Sequence, residues 1–96
     1  LENRSIMNTP VYDFLIQYAE RDPVRLHMPG HKGRFGAPAL QCATTLDLTE
    51  ITGADSLFEA EGILAESERN AASLYGTAYT FYSCGGSTSA FRPCFC

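Results

Sequence analysis

The residues best suited to chemistry in this sequence lie in the segment 84–89, Cys-Gly-Gly-Ser-Thr-Ser. Gly85 and Gly86 allow a tight turn and a close approach of the backbone to a ligand. Ser87 and Thr88 then offer hydroxyl and backbone N–H groups where a helix would begin, and such an arrangement holds phosphate well. Plain connections after strands have the same pattern. The local sequence therefore leaves both a phosphate-binding turn and an ordinary turn open.

A second candidate segment spans residues 27–33, His-Met-Pro-Gly-His-Lys-Gly. His27 and His31 have the i, i+4 spacing of a helical metal pair, but the intervening Pro29-Gly30 prevents a helix there. We predict instead a shaped loop that presents two imidazoles and the ammonium group of Lys32. For His27, a hydrogen-bonded structural role and a role in a site both stay open.

The cysteines do not indicate a metal site or a disulfide framework. The chain has four of them, at positions 42, 84, 94 and 96. Their spacing does not match a zinc site, and no secretory signal accompanies them. We therefore predict free thiols and no bound metal.

The overall composition excludes several classes of protein. Ninety-six residues with 45% hydrophobic content suit one small domain or a piece of a larger one. The net charge is −4 and the basic residues are scattered, which argues against a nucleic-acid-binding surface. No apolar run approaches the roughly 18–20 residues of a membrane span, and no signal-peptide pattern appears. We therefore expect a cytoplasmic protein without nucleic-acid or membrane partners.

Hydrophobic periodicity predicts two helices around these segments. Thr9-Pro10 marks the start of the first, and Asp22-Pro23 marks its end. Its buried face is formed by residues at helical spacing, Val11, Phe14, Leu15 and Tyr18. The second helix is predicted from Ile63 to Tyr75, and Gly76 ends it in the left-handed conformation. Its buried face comprises Leu64, Ala71, Ala72 and Tyr75.

The segment before the glycine turn predicts a strand. Residues 78–82, Ala-Tyr-Thr-Phe-Tyr, are rich in aromatic and β-branched types. The element order is then helix, loop, helix, strand, which favours an α/β fold. Since one strand cannot make a sheet, its partners are expected to lie elsewhere.

Four segments together resemble the N-terminal part of the bacterial ornithine/lysine/arginine decarboxylases. They are Thr-Pro-Val-Tyr-Asp at 9–13, Arg-Leu-His-Met-Pro-Gly-His-Lys-Gly at 25–33, Leu-Asp-Leu-Thr-Glu at 46–50 and Gly-Ser-Thr at 86–88. Their order and spacing match the family over residues 7–90. The string His-Met-Pro-Gly-His-Lys-Gly is highly specific.

The resemblance implies a fold, a cofactor and a substrate class. The fold is the α/β, aspartate-aminotransferase-like fold type I of pyridoxal-phosphate enzymes, of which this chain would form the N-terminal segment and the start of the large domain. The cofactor is pyridoxal 5'-phosphate, although its binding by this segment alone is doubtful. The substrate is a basic amino acid (lysine, arginine or ornithine) that loses its carboxylate. The family also implies a homo-oligomer.

The resemblance also implies roles for particular residues. In the family, the Gly-Ser-Thr turn contacts the cofactor phosphate, and this role carries over to Gly86, Ser87 and Thr88. The loop resembles a segment near the active site, so His31 and Lys32 are candidates for lining it. The Schiff-base lysine of the family lies far downstream. No catalytic residue is therefore expected in this chain.

The tail at residues 91–96, Phe-Arg-Pro-Cys-Phe-Cys, departs from the apolar helix that the family would have there. Pro93 inside that helix would cost about 3 kcal/mol or more. Reading the codons of the tail in a shifted frame gives an apolar stretch similar to the family's continuation. We therefore predict an out-of-frame tail after a frameshift near Ala90. Residues 1–6 have no family counterpart and are predicted to be vector-derived or upstream residues.

Two functions follow as hypotheses. The first is a fragment of a pyridoxal-phosphate-dependent decarboxylase of basic amino acids, with this chain inactive on its own. The alternative is a non-catalytic fragment that only self-associates or aggregates, because apolar faces such as Phe14, Leu15 and Tyr18, and the strand at 79–82, would be uncovered.

Overall fold

The computed structural model describes residues 7–34 and 36–95 of the chain. Four α-helices lie in these ranges: α1, Pro10–Glu20; α2, Gln41–Thr45; α3, Ile63–Tyr75; and α4, Gly86–Phe91. A short 3₁₀ helix, Pro38–Leu40, leads into α2, and a second one, Arg92–Phe95, follows α4. The predicted upstream residues 1–6 and the final residue of the predicted tail, Cys96, lie outside the described residues.

Helix α1 forms as its sequence predicts. Pro10 occupies the first turn, where its missing N–H is not needed, and Tyr18 is buried with only 8% of its surface exposed. The helix ends at Glu20, just before Asp22-Pro23. Thr9 does not cap the helix through its side chain, because its hydroxyl donates to Asp13 Oδ1 at 2.9 Å instead.

Helix α3 has the predicted limits. Gly76 follows it with φ of 69°, the left-handed conformation that glycine adopts without a steric penalty. Ala72 is buried, and Leu64 and Ala71 are half-buried. The predicted burial of Tyr75 is wrong: its side chain is 77% exposed, because it lies at the C-terminal end of α3, where the helix stops at Gly76.

Helices α1 and α3 pack against each other and form the centre of the structure. Polar contacts fix the chain entering α1 to the surface of α3. Asn70 Nδ2 donates to the backbone oxygen of Asn8 at 3.0 Å and to its side-chain oxygen at 2.9 Å. The Asn8 amide in turn donates to Glu66. These contacts join residues more than 50 positions apart, so the first helix is anchored by the third.

The predicted strand at residues 78–82 is not a strand in the structure. Residues 77–83 are irregular, and the described ranges contain no strand that could pair with them. The Tyr82 N–H donates to Glu68 Oε1 at 3.0 Å, and the Tyr82 hydroxyl contacts Ser67 Oγ at 2.7 Å. A sheet requires a neighbouring strand for its backbone hydrogen bonds. The described part of the chain is therefore helical, and the predicted α/β class is not seen in it.

Little of the apolar surface is covered. Among the large hydrophobic residues of the described ranges only Tyr18 is buried, whereas Phe58 is 97% and Phe81 is 80% exposed. The chain has a solvent-accessible surface of 7642 Å². A compact monomer of this size would expose about 5,400 Å². The fold leaves an excess comparable to the area buried in a large protein interface.

Candidate functional site

The glycine turn at residues 84–89 starts helix α4. Gly85 precedes the helix, and Gly86 opens it with φ of 76°, a conformation that side chains disfavour. A Cβ at Gly85 would lie 2.6 Å from Ser89 Cβ, so glycine is needed there as well. The predicted turn residues therefore have the conformational roles that the sequence indicates.

Ser87 and Thr88 lie in the first turn of α4 and are exposed. Backbone N–H groups in the first turn of a helix have no acceptor within that helix. Together with the two hydroxyls, they give a surface that can donate several hydrogen bonds to an oxyanion. The residues present thus fit a phosphate group. The helix behind them has six residues and its α-helical part ends at Phe91, two residues before Pro93.

An open recess of about 700 Å³ lies beside the turn. Aromatic and acidic side chains form half of its lining residues, and Gly85 and Ser89 of the turn also line it. Its acidic members are Glu50, Glu59 and Glu68. Glu68 already accepts the Tyr82 N–H, and Glu50 accepts the Ser56 hydroxyl at 2.9 Å. Two of the three carboxylates therefore also stabilise the neighbouring segments through these hydrogen bonds.

His27 in the second candidate segment has a structural role. Its Nδ1 lies 2.5 Å from the carbonyl oxygen of Met28, which can only accept, so Nδ1 carries the proton of the neutral ring. Its Nε2 therefore accepts from the Tyr18 hydroxyl at 2.7 Å. This bond fixes the loop to the buried residue of α1. The hydrogen-bonded arrangement that the sequence left open for His27 is thus seen in the structure, and a role of His27 in a site stays a prediction.

His31 is also held at both ring nitrogens. The Gly33 N–H donates to Nδ1 at 3.0 Å, which places the proton of the neutral ring on Nε2. Nε2 then donates to Asp47 Oδ2 at 3.0 Å. The His31 imidazole therefore has no unoccupied nitrogen for a substrate or a metal in this conformation.

Lys32 has an unusual backbone conformation for a residue with a side chain. Its φ is 56°, in the left-handed region, and Gly33 follows with φ of 77°. The Lys32 ammonium donates to the carbonyl oxygen of His27 at 2.7 Å, which closes the loop on itself. Its other N–H donors stay available for a ligand.

The two predicted site segments are not brought together by the described part of the chain. No hydrogen bond among these residues joins the loop at 27–33 to the turn at 84–89, and they line different recesses.

Within residues 7–34 and 36–95, no three His, Cys, Asp or Glu side chains are grouped so as to hold a metal ion. The thiols of Cys42 and Cys84 are free and exposed. None of the described helices has both the length and the apolar character needed to cross a membrane.

Two anchoring residues were missed by the sequence reasoning. Arg25 donates from Nη2 to the Thr45 carbonyl at 2.7 Å, and its guanidinium lies 5.1 Å from the centre of the Tyr18 ring. Asp55 accepts four backbone N–H groups, from Ser56, Glu61, Gly62 and Leu64. Only the loop sequence Gly-Ala-Asp-Ser hinted at Asp55, since aspartate in such loops commonly accepts nearby backbone N–H groups.

The Asp55 bonds affect its pKa. Desolvation raises the pKa of this carboxyl, but the hydrogen bonds from the backbone of Ser56, Gly62, Glu61 and Leu64 outweigh it and lower the value to about 2. The ionised Asp55 carboxylate thereby stabilises the backbone at residues 61–64, where α3 begins.

Comparison with known proteins identifies the family. The model of the family "Orn/Lys/Arg decarboxylase, major domain" matches residues 9–94. Three curated relatives illustrate the similarity: the uncharacterized protein YaaO of Bacillus subtilis (strain 168), 36% identical over 87 residues; an arginine decarboxylase of Halalkalibacterium halodurans, 34% identical over 88; and an arginine decarboxylase of B. subtilis (strain 168), 35% identical over 88. No solved structure gives a significant match.

The similarity has a defined extent. Each of these matches covers 85% of this chain but only 18% of the relative, so the chain spans about a fifth of the length of these proteins. The family match includes both candidate segments and runs to residue 94. The predicted resemblance is thereby confirmed, while the predicted frameshift near Ala90 stays a prediction. With most of its residues matched, the chain belongs to the Orn/Lys/Arg decarboxylase family.

Proposed function

We propose that this chain is a part of a pyridoxal-phosphate-dependent decarboxylase of basic amino acids. The observation that supports this most is the family match over residues 9–94. Several similar relatives are named arginine decarboxylase, which favours arginine over lysine and ornithine. We also propose that the complete enzyme is cytoplasmic and active as a homo-oligomer.

In this proposal Gly86, Ser87 and Thr88 contact the phosphate of the cofactor. Gly86 lets the backbone approach, and the exposed hydroxyls and first-turn N–H groups of Ser87 and Thr88 donate to the phosphate oxygens. Pyridoxal phosphate, when bound, supplies an electron sink for the electrons released as the substrate carboxylate leaves. The contribution of this chain is to hold and orient the phosphate end of the cofactor.

The roles proposed for the loop differ from one residue to the next. Lys32, with its remaining N–H donors, is a candidate for lining the active site of the complete enzyme. His31 acts there through position, because Asp47 and Gly33 occupy both of its ring nitrogens. In this proposal the loop at 27–33 forms part of the wall of the active site.

A chimeric enzyme tests this function. Residues 7–90 replace the matching segment of the B. subtilis arginine decarboxylase, and carbon dioxide release is measured with arginine, lysine and ornithine. We expect pyridoxal-phosphate-dependent release from arginine. The double change Ser87→Ala and Thr88→Ala should raise the cofactor concentration needed for half-maximal activity about tenfold or more, as expected for lost hydrogen bonds to a charged group.

The control in the chimera is Ser73→Ala, which removes an exposed hydroxyl from α3. It should leave the cofactor requirement unchanged. A chimera that binds pyridoxal phosphate equally well with and without the Ser87 and Thr88 hydroxyls would contradict the proposed contact. The 96-residue chain alone is expected to release no carbon dioxide from any of the three amino acids.

Self-association is a second candidate behaviour of the isolated chain. The exposed aromatic side chains and the surface excess over a compact monomer favour it. Tyr18 does not belong to this exposed surface, contrary to the sequence-based hypothesis, because it is buried under Arg25. Sedimentation of the chain over a range of concentrations should show oligomers, and a monomer at all concentrations would argue against association.

A further inference from the structure

A basic recess lies between the loop at 22–25, the loop at 32–34 and helix α2. Its volume is about 430 Å³, within the range of about 300–1,000 Å³ that is usual for small-molecule sites. The ionisable side chains that line it are Arg25, Lys32, Arg34 and Asp22. It shares no lining residue with the recess beside the glycine turn, so it is separate from the proposed phosphate contact of the cofactor.

The charge of this recess is opposite to that of the chain. The chain carries a net charge of −4 and has seven basic residues, of which three line this one recess. Asp22 is the one carboxylate among the lining residues. Positive charges that are held close together repel one another, and an anion placed between them relieves this repulsion.

The donors of the three cations are only partly used. Arg25 donates to the carbonyl oxygens of Thr45 and Thr44, and Lys32 donates to that of His27. These acceptors are neutral, so the positive charges are not cancelled. The Arg34 side chain is exposed, and no hydrogen bond or ion pair connects it to another described residue. Each cation therefore keeps N–H donors for an anionic ligand.

The backbone holds two of these cations in place. A Cβ at Gly33 would lie 2.6 Å from Arg25 Cζ, so the guanidinium lies directly against the Cα of this glycine. The left-handed conformation of Lys32 is uncommon for a residue with a side chain, and such conformations are frequent at ligand sites. The positive φ angles of Lys32 and Gly33 therefore help to define the shape of this recess.

We propose that this recess binds a small phosphate-bearing ligand. Guanidinium and ammonium groups are the side chains that best recognise phosphate, through charge-assisted hydrogen bonds. Three cations match a multiply charged oxyanion better than a monocarboxylate such as acetate. Free phosphate and the phosphate group of a larger molecule offer the same chemistry, and the test separates them.

Calorimetric titration of the 96-residue chain at low ionic strength tests the proposal. The probes are inorganic phosphate, pyrophosphate and acetate. We expect saturable binding of phosphate or pyrophosphate and none of acetate. Arg34→Gln should weaken this binding about tenfold, as the loss of one charge-assisted contact implies. Since the Arg34 side chain is exposed and has no bonding partner among the described residues, the change should leave the fold intact, which amide NMR spectra verify.

Matched controls decide the location of the site. Arg69→Gln removes the same charge from an exposed position on α3 and should not weaken binding. Equal loss in Arg34→Gln and Arg69→Gln would show a mere net-charge effect and overturn the proposal. Binding that Thr88→Ala removes and Arg34→Gln leaves unchanged would lie at the glycine turn and would overturn it as well. Absence of any phosphate or pyrophosphate binding would also overturn it. Tighter binding of pyrophosphate than of phosphate would point to a larger phosphate-bearing ligand.

Discussion

His31 and Asp47 are joined by a hydrogen bond of 3.0 Å between Nε2 and Oδ2. The bond links the loop at 27–33 to the segment after α2, sixteen positions further along the chain. Because Gly33 donates to the other nitrogen of the ring, the imidazole acts as a bridge between two parts of the backbone. The His31 ring thus holds the loop at 27–33 against the segment that follows α2.

The two histidines are expected to have opposite tautomers. His27 should carry its proton on Nδ1, because that atom faces the Met28 carbonyl, and His31 should carry it on Nε2, because Nδ1 accepts from Gly33. Long-range proton–nitrogen NMR correlation at alkaline pH distinguishes the two forms. If His27 and His31 show the same tautomer, at least one of these hydrogen bonds is not present in solution.

Tyr18→Phe should loosen the attachment of the loop to α1. The change removes the hydroxyl that donates to His27 Nε2 and should cost about 1 kcal/mol, as for a typical part-buried hydrogen bond. Amide hydrogen exchange at residues 24–28 measures the effect. Tyr12→Phe is the control, because Tyr12 is 58% exposed on the same helix, and it should leave exchange nearly unchanged. Similar protection in both variants would mean that the bond contributes nothing.

Gly33→Ala should disrupt the anchoring of Arg25. The new Cβ would lie 2.6 Å from the guanidinium carbon, and φ of 77° is unfavourable for alanine. The combined cost should be about 1–3 kcal/mol. Gly30→Ala provides the control in the same loop, because a Cβ there meets no atom within 4 Å.

Amide exchange around Thr44 and Thr45 reports whether Arg25 still holds their carbonyls. Exchange that increases in Gly33→Ala but not in Gly30→Ala is the expected result. An unchanged pattern in both variants would show that the guanidinium can move aside freely.

Asp55→Asn should weaken the start of α3 at neutral pH. The folded-state pKa of about 2 lies below the ordinary value of 3.8, so the carboxylate contributes stability above that ordinary value. This contribution is lost as the pH falls from about 4 towards about 2. Exchange of the Gly62 and Leu64 amides, which donate to Asp55, measures it.

The matched control for this prediction is Asp22→Asn. The φ angle is positive at both aspartates, 66° at Asp55 and 44° at Asp22, so the backbone preference for asparagine is similar at the two positions. Asp22→Asn should leave the α3 amides unchanged at every pH. The difference between Asp55→Asn and the parent chain should shrink on acidification, and a constant difference would contradict the pKa.

Helices α1 and α3 could be predicted because their signals are local. The apolar spacing of Phe14 and Tyr18, the proline at the start of α1 and the glycine after α3 all act within a few residues. The conformation of Gly86 was predictable for the same reason. The short helix α2 was missed, because five residues, Gln-Cys-Ala-Thr-Thr, carry no hydrophobic period.

The sequence could not predict the features that depend on contacts between distant parts of the chain. β-Propensity at residues 78–82 could not form a strand without a partner among the described residues. The bonds of Tyr18 to His27, of Arg25 to Thr45 and of His31 to Asp47 join separate segments, and no spacing rule predicts them. The site segments were found from residue types and family resemblance, while the partners of each side chain required the structure.

The exposed apolar faces also determine how the isolated chain responds to temperature. A globular domain of 100 residues gains about 1.2–1.5 kcal/mol/K of heat capacity on unfolding, because water newly contacts its apolar core. In this chain Val24, Leu26 and Phe58 already contact water in the folded state, each with at least 88% of its surface exposed. Unfolding therefore hydrates less additional apolar surface than it would in a compact domain of the same size. The isolated chain should melt broadly, and covering these faces should make the transition steeper.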